Sequence, residues 1–436
     1  MHRIVVTFLL GLLLTGLLSG GEQTKPLFKE FMGINGHTVV FKPELYRPTC
    51  ALVRDYHPID WDFGDDTSRA TTFPFAHNRV EWKHVYGSWQ KHGFNINVCL
   101  MFDPIKHDKW KNLAADAKQY GLSFAKFFGP SGAEKLVTSV EIGNEPGEYD
   151  DAKYRTLFEN MARGVREGDP KMTIATCAAV PGKSHRYAKS LTCFDGLHDL
   201  FDVINIHVYA EVEGWPTWRR SFPEDPKIRY LKEVNEAIAW RDEKAKGKPI
   251  WITEFGWDCS TKPNNPKNEF AKWVGVTDTQ QAQYLCRSFM VFAKMPIDRA
   301  YIFFFNDKDE PQIHGAAGLT RNFQPKPSYY AVSHMHKLMG DYRFSRVLQE
   351  KEGDVYAYEF THGTDAKKRI WAVWSPTGSD RKAEITLPLE KLKLVSAEQM
   401  PLAPGDAPKV EIKAHGESIA VPVSESPLYI LLETGN

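Results

Sequence analysis

A chain of 436 residues, 42% hydrophobic and 25% charged, has the mixture of an ordinary globular protein and room for about two to three average domains, or one large barrel and a smaller module. Its 55 basic residues balance 55 acidic ones, and they form no basic cluster, so neither nucleic acid nor an anionic membrane is an expected partner. A neutral partner fits this balance.

The N-terminus reads as a secretory signal peptide. Arg3 precedes an apolar run from Ile4 to Leu18, and Ser19-Gly20-Gly21 supplies small residues for cleavage. The run is short for a bilayer span, which needs about 20 apolar residues, so an uncleaved anchor is the lesser alternative. No cysteine follows it to carry a lipid. Residues 1–21 are therefore expected to be removed, the mature chain to be secreted or periplasmic, and no stable membrane insertion is expected.

From about residue 31 to 341, strand-like apolar runs alternate with helix-period segments. The strand candidates are Phe31–Gly36, Ala51–Tyr56, Asn95–Phe102, Thr138–Ile142, Thr173–Ala179, Asp202–Val208, Ile250–Phe255 and Ala300–Phe305. Most are nearly continuous apolar runs, as parallel strands buried on both faces require. Helical candidates lie at Val80–Lys91, Ala114–Phe128, Lys153–Arg166, Ile228–Lys244, Thr279–Phe292 and Tyr329–Met339. The connection after Gly36 is short and poorly helical. Eight such units predict an α/β fold, a (β/α)8 TIM barrel over residues 22–341. An open doubly wound sheet competes, but no Gly-x-Gly-x-x-Gly follows any strand.

After Gly340 the texture changes. Asp354–Phe360, Arg369–Trp374, Ala383–Leu387, Lys409–Ile412 and Leu428–Leu432 read as short alternating strands separated by Pro and Gly clusters. Residues 342–436 are expected to form a small all-β, sandwich-like domain, with a strand from the mature N-terminus as a possible addition. The six cysteines (Cys50, Cys99, Cys177, Cys193, Cys259, Cys286) lack metal-ligand spacing. In an exported chain they leave room for one or two disulfides of unassigned pairing.

Barrel enzymes carry their chemistry at the C-terminal ends of the strands. The fourth strand ends in Val140-Glu141-Ile142-Gly143-Asn144-Glu145-Pro146, the seventh in Trp251-Ile252-Thr253-Glu254-Phe255-Gly256-Trp257. Each brings a carboxylate to the point where the chain leaves the barrel. Acidic residues at strand ends are common, so either glutamate alone is weak evidence. Two of them on strands that face each other across the mouth match the carboxyl pair that glycosidic cleavage needs.

Asn144-Glu145-Pro146 after one strand, with Glu254 ending another, resembles the retaining glycoside hydrolases of clan A. The added β module resembles families 39, 30 and 5 of that clan. The resemblance implies Glu145 as general acid/base, Glu254 as nucleophile, and Asn144 as a hydrogen-bond partner of the sugar 2-hydroxyl. It further implies that Tyr209 or His207 orients Glu254, and that Arg54 lies beneath it and favours its charged form. The bland readings are a barrel-wall salt bridge for Arg54 and a core histidine for His207. The clan's usual tryptophan at the end of strand eight is absent. Phe305, Trp257 or Trp215 is the expected sugar platform, although most such rings pack in cores. Asn35 completes the expected substrate-binding set.

The expected partner is a carbohydrate, with no cofactor and no metal. A metal-dependent hydrolase would need His-x-His on the first strand, which offers only His37, and His57, His107, His185 and His207 lack ligand spacing. No Gly-x-Ser-x-Gly elbow is present for Ser-His-Asp catalysis. A transglycosidase with the same covalent intermediate, and a carbohydrate-binding barrel without catalysis, are the remaining alternatives. Sugar identity, linkage, endo or exo action and oligomeric state are not legible, although loops 55–75 and 209–225 are long enough to shape subsites.

Overall fold

The computed structural model describes residues 24–36, 40, 42–69, 80–185 and 187–435. The expected signal segment 1–21, His37 and residues 70–75 of the long second loop lie outside the described residues. No helix among the described residues is long and apolar enough to cross a membrane.

Eight strands form one parallel sheet: β1 (Met32–Asn35), β2 (Leu52–Pro58), β3 (Asn95–Met101), β4 (Ser139–Ile142), β5 (Thr173–Ala175), β6 (Ile204–His207), β7 (Ile250–Phe255) and β8 (Arg299–Ile302). Their order is β5-β4-β3-β2-β1-β8-β7-β6. A parallel bridge from Ala175 to Val203 joins the two ends into a ring. The apolar runs read from the sequence are these strands, with ends shifted by a few residues, and the fold is the expected barrel.

Around it stand α1 (Trp82–Lys91), α2 (Leu113–Phe128), α3 (Asp151–Gly168), α4 (Tyr230–Lys244), α5 (Asp278–Lys294) and α6 (Pro327–Met339). Among the described residues, the connection after β1 holds the turn Pro43–Tyr46, and the one after β5 holds two 3-10 turns, Leu191–Phe194 and His198–Leu200. Helix α3 shows why the pattern works. Asp150 caps it by accepting the Lys153 N–H, and Tyr154, Leu157, Phe158, Met161, Ala162 and Val165 bury one stripe. Gly121 of α2 and Gly164 of α3 let the two backbones meet: a Cβ on Gly121 would lie 2.4 Å from the Met161 carbonyl oxygen, and one on Gly164 would lie 2.1 Å from that of Lys118. Helix α5 is buried on every face from Gln281 to Ala293, because its outer side is covered by the C-terminal module.

That module holds two antiparallel sheets. One has the order β9 (Tyr342–Lys351), β10 (Val355–His362), β11 (Lys368–Trp374), β16 (Leu428–Thr434), β13 (Leu392–Gln399); the other has β12 (Ala383–Pro388), β15 (Ser418–Val423), β14 (Lys413–His415). Alternation along β10 divides its side chains. Val355 and Ala357 pack between the sheets with Trp371, Val421 and Ile430, while Tyr356, Tyr358 and Phe360 join the barrel's core. Buried Arg287 of α5 ties the parts together by pairing with Glu224 at 2.5 Å and with Glu425 of the module at 2.6 Å.

The structure differs from expectation in several details, beginning with the strands Tyr342–Lys351, Leu392–Gln399, Lys413–His415 and Ser418–Val423, which the sequence pattern does not show. Lys409–Ile412 is not a strand: it follows Pro408 and makes one bridge, Lys409 to Glu398. No N-terminal strand joins the module among the described residues; Phe28–Phe31 is a helical turn whose Phe28 ring meets Phe360 edge-on at 5.3 Å. All six cysteines are buried free thiols, so no disulfide staples a core large enough to stand without one.

Candidate active site

Side chains on β2 alternate cleanly. Asp55 and His57 point outward and bond Tyr86 of α1, each at 2.9 Å, whereas Arg54 and Tyr56 point into the barrel mouth. Arg54 is fully buried and uses all five guanidinium donors. Nε and Nη2 hold Glu141 of β4 at 2.8 and 2.7 Å, and Nη2 also reaches Asn144 Oδ1 at 2.9 Å. Nη1 bonds Asn35 Oδ1 at 2.9 Å and Glu254 Oε1 at 3.0 Å. Burial opposes the Arg54 charge, but the Glu141 carboxylate outweighs it and holds the guanidinium protonated.

Strand β7 delivers Glu254 through an irregularity. Ile206 pairs with Ile252 but His207 pairs with Glu254, and on the other side Ala300 pairs with Ile252 but Ile302 with Phe255. Against both neighbours β7 carries one extra residue, at Thr253, which is a β-bulge. The bulge allows Thr253 and Glu254, adjacent in sequence, both to bond groups of the mouth. It also leaves the Thr253 carbonyl off the ladder, and the Asn35 amide fills that gap by donating to Thr253 O at 2.8 Å and Ile302 O at 3.1 Å.

Glu254 has a 6% exposed side chain. Its Oε1 accepts from Arg54 and from the Tyr56 hydroxyl at 2.7 Å, and its Oε2 accepts from the Tyr209 hydroxyl at 2.7 Å. Burial alone would raise this carboxyl. The His207 and Arg54 charges and the two hydroxyls overcome burial and bring it down to about 2. Burial and the Glu254 charge push Tyr56 and Tyr209 up, so both remain hydroxyl donors.

Glu145 emerges after a turn that only glycine takes easily. Gly143 has φ +87°, and a Cβ there would lie 2.8 Å from the Phe102 ring. Asp103, just past β3, accepts the Asn144 N–H at 3.1 Å, and burial pushes its carboxyl up to about 6. The Glu145 side chain is 29% exposed, with Oε1 2.9 Å from His207 Nδ1. That nitrogen is also 3.6 Å from Glu254 Oε2. His207 Nε2 lies 3.0 Å from Thr253 Oγ1, whose hydroxyl donates onward to Asn205 Oδ1. Thr253 therefore accepts from Nε2–H, and Nδ1 shares a proton with Glu145. Burial lowers His207, but Glu254's charge and the Glu145 hydrogen bond outweigh it and raise the imidazole above its ordinary value.

An oxygen of Glu145, an oxygen of Glu254 and a nitrogen of His207 all lie within 4.8 Å of one another. Two carboxyl groups thus face one opening with their nearer oxygens less than 4.8 Å apart; direct attack calls for carboxyl groups about 5–5.5 Å apart, and activation of an intervening water for roughly 6.5–9.5 Å. These three groups also have the donor set for a metal ion. Arg54, however, lies 3.0 Å from Glu254 and would repel a cation seated there.

The structure brings Glu145, Glu254, Asn144, Arg54, His207 and Tyr209 together as expected. Three other expected substrate contacts need correction. Asn35 is fully buried and holds Arg54 and the bulge, so it lies beneath the site. Phe305 is fully buried, stacked on Tyr46 at 3.5 Å. Trp257 is likewise buried, donating to Ser221 O at 2.7 Å between Tyr230 and Tyr284. At the end of β8 the half-buried ring is Phe303, 5.2 Å from His314, which itself lies 5.0 Å from Tyr209. Sequence reasoning also missed Tyr56, Glu141, Thr253 and Asp103. For Glu141 a signal existed: an acid and an arginine inside two apolar runs each require an opposite charge when buried.

The sequence matches no model of a known protein family. Solved structures share the fold across nearly the whole chain. A family 39 glycoside hydrolase from Bacteroides cellulosilyticus WH2 superposes with TM-score 0.67 at 17% identity, over 92% of this chain and 80% of that one. A family 30 subfamily 8 xylanase from Clostridium acetobutylicum gives 0.55 at 13%, over 93% and 96%. BuGH86 in complex with neoagarooctaose gives 0.61 at 14%, over 95% and 77%. At these identities the likeness is one of fold: a barrel with an attached β module.

Proposed function

We propose that this chain is an exported retaining β-glycoside hydrolase, with Glu254 as nucleophile and Glu145 as acid/base. The observation that carries the reading is the pair itself. One carboxylate is held ionised by a cation and two hydroxyls, and it faces a second, more exposed carboxyl whose nearer oxygen lies within 4.8 Å, which favours direct attack over activation of a water between them. Fold likeness to solved glycoside hydrolases supports the reaction class, and one of them holds an oligosaccharide.

In the first step an ionised Glu254 oxygen forms a bond to the anomeric carbon as the bond from that carbon to the leaving oxygen breaks. Glu145 passes its proton to the leaving oxygen. In the second step Glu145 takes a proton from water, whose oxygen attacks the same carbon and frees Glu254 with retained configuration. His207 Nδ1, 2.9 Å from Glu145 Oε1, holds the acid/base in place by a hydrogen bond. Asn144, its amide oxygen occupied by Arg54, offers its NH2 to the sugar 2-hydroxyl. Phe303 takes the place expected of Phe305 as the ring at the end of β8.

The test is hydrolysis of 4-nitrophenyl β-glycosides by wild type, Glu254→Gln and Glu145→Ala. Glu254→Gln should be inactive. Glu145→Ala should keep activity only on activated leaving groups and be rescued by azide, giving a glycosyl azide of retained configuration. Unchanged activity in either variant removes that residue from the mechanism. Glycosyl transfer to added alcohols that outpaces hydrolysis in the same assay marks a transglycosidase.

A further inference from the structure

The large hydrophobic side chains most exposed among the described residues are Val40, Tyr187, Val212, Trp215, Val274, Val347 and Val395. Both aromatic ones stand on neighbouring loops at the catalytic end of the barrel. Tyr187, 47% exposed, belongs to the connection after β5, and Trp215, 70% exposed, to the connection after β6. Val212 and Val274 flank Trp215. Val212 lies on the same loop, and the Val274 N–H donates to Thr217 O at 2.8 Å.

The loop that carries Trp215 is built, not slack. Glu211 bridges Arg220, and the Val212 N–H donates to Arg219 O at 2.9 Å. The Trp218 N–H donates to Gly214 O at 2.9 Å, and Glu213 takes both Thr217 Oγ1 at 2.7 Å and Arg219 at 2.6 Å. Its root is the active site itself. Tyr209 bonds Glu254, and Arg220 bonds the Gly256 carbonyl and Asp258, each at 3.0 Å. The Tyr187 loop is pinned as well, by the His185 N–H on Ala188 O at 3.0 Å and the Ser190 N–H on Ser184 Oγ at 2.7 Å.

A rigid hairpin that exposes an indole at its tip keeps apolar area in water that packing would otherwise cover. Trp215 lies beyond the Glu211–Arg220 bridge, at the turn end of the hairpin, whereas Tyr209 at its root bonds Glu254. An aromatic face matches the C–H face of a neutral sugar ring and is preorganised at little entropic cost.

We infer that Trp215, with Tyr187 on the neighbouring loop, forms a distal platform for sugar residues away from the cleaved bond, so that the substrate is an extended chain. This rests on the glycosidase reading and names its substrate class. The test compares kcat/KM on 4-nitrophenyl monoglycosides with kcat/KM on soluble β-glucan, xylan, mannan and agarose oligosaccharides of increasing length. Wild type, Trp215→Ala, Trp215→Tyr and the double variant Tyr187→Ala/Trp215→Ala are assayed. The ratio of long-chain to aryl-glycoside kcat/KM should fall about tenfold in Trp215→Ala, fall further in the double variant, and recover in Trp215→Tyr. A ratio within twofold of wild type on every chain that wild type cleaves overturns the platform and leaves the glycosidase reading standing. Failure of wild type to hydrolyse any of these substrates overturns both.

Discussion

Arg54 sits between two carboxylates with different jobs, and a pair of variants separates those jobs. Arg54→Met leaves Glu141 fully buried without a cation, a change that costs about 3–5 kcal/mol. That is a large share of a total stability of about 5–15 kcal/mol. In Arg54→Met/Glu141→Gln the orphaned charge is gone, so most of the lost stability should return. Activity should not. Both variants lack the Arg54 bonds to Glu254 and Asn144. At about 1.5–3 kcal/mol for each charge-assisted bond, that corresponds to a loss of at least about a hundredfold in kcat/KM. The assay is guanidinium unfolding alongside aryl-glycoside kinetics for wild type, single and double variants. A double variant as unstable as the single one, or one with restored activity, would refute this division of labour.

Other expectations follow from the same geometry. Tyr56→Phe removes the hydroxyl on Glu254 Oε1 and should cut kcat/KM roughly tenfold, the effect of losing about 1.5 kcal/mol of charge-assisted bonding, with folding stability little changed. Glu254, brought down to about 2, contributes stability that is present above the unfolded carboxyl value near ~4.3 and is lost as pH falls through about 2. His207, raised, contributes stability that is present below about 6.5 and is lost as pH rises through its folded value. The nucleophile thus stays ionised at mildly acidic pH, and activity should fall on the alkaline side as His207 gives up its proton. An acid limb near 4.5 in the kcat/KM profile that Tyr56→Phe leaves in place would contradict this. Gly143→Ala forces a Cβ onto φ +87° and towards the Phe102 ring, so it should cost about 1–3 kcal/mol and lower kcat by displacing Glu145. Unchanged thermal unfolding and kcat would show that the turn is not needed.

The barrel was legible because buried parallel strands read as apolar runs and its helices carry one-sided stripes, as α3 does. The carboxyl pair was legible because both residues end such runs. What escaped the sequence depends on register and on neighbours. The bulge at Thr253 exists only against β6 and β8, and no pattern within β7 reveals it. Phe305 and Trp257 look like mouth aromatics by position, but Tyr46 and the pair Tyr230 and Tyr284 enclose them. In the module, Tyr342–Lys351 was missed because an edge strand bearing Arg343, Arg346, Glu350 and Lys351 shields its open side with charge and shows little alternation. Tyr56 was visible as an aromatic residue, but its bond to a glutamate 198 positions away was not.

Incubation with 2-deoxy-2-fluoro β-glycosides bearing a good leaving group, followed by peptide mass spectrometry, addresses the nucleophile directly. Slow turnover of the trapped species should leave a single glycosyl ester on Glu254. A label on any other residue, or cleavage of a natural chain with inverted anomeric configuration and no trapped ester, would contradict the assignment.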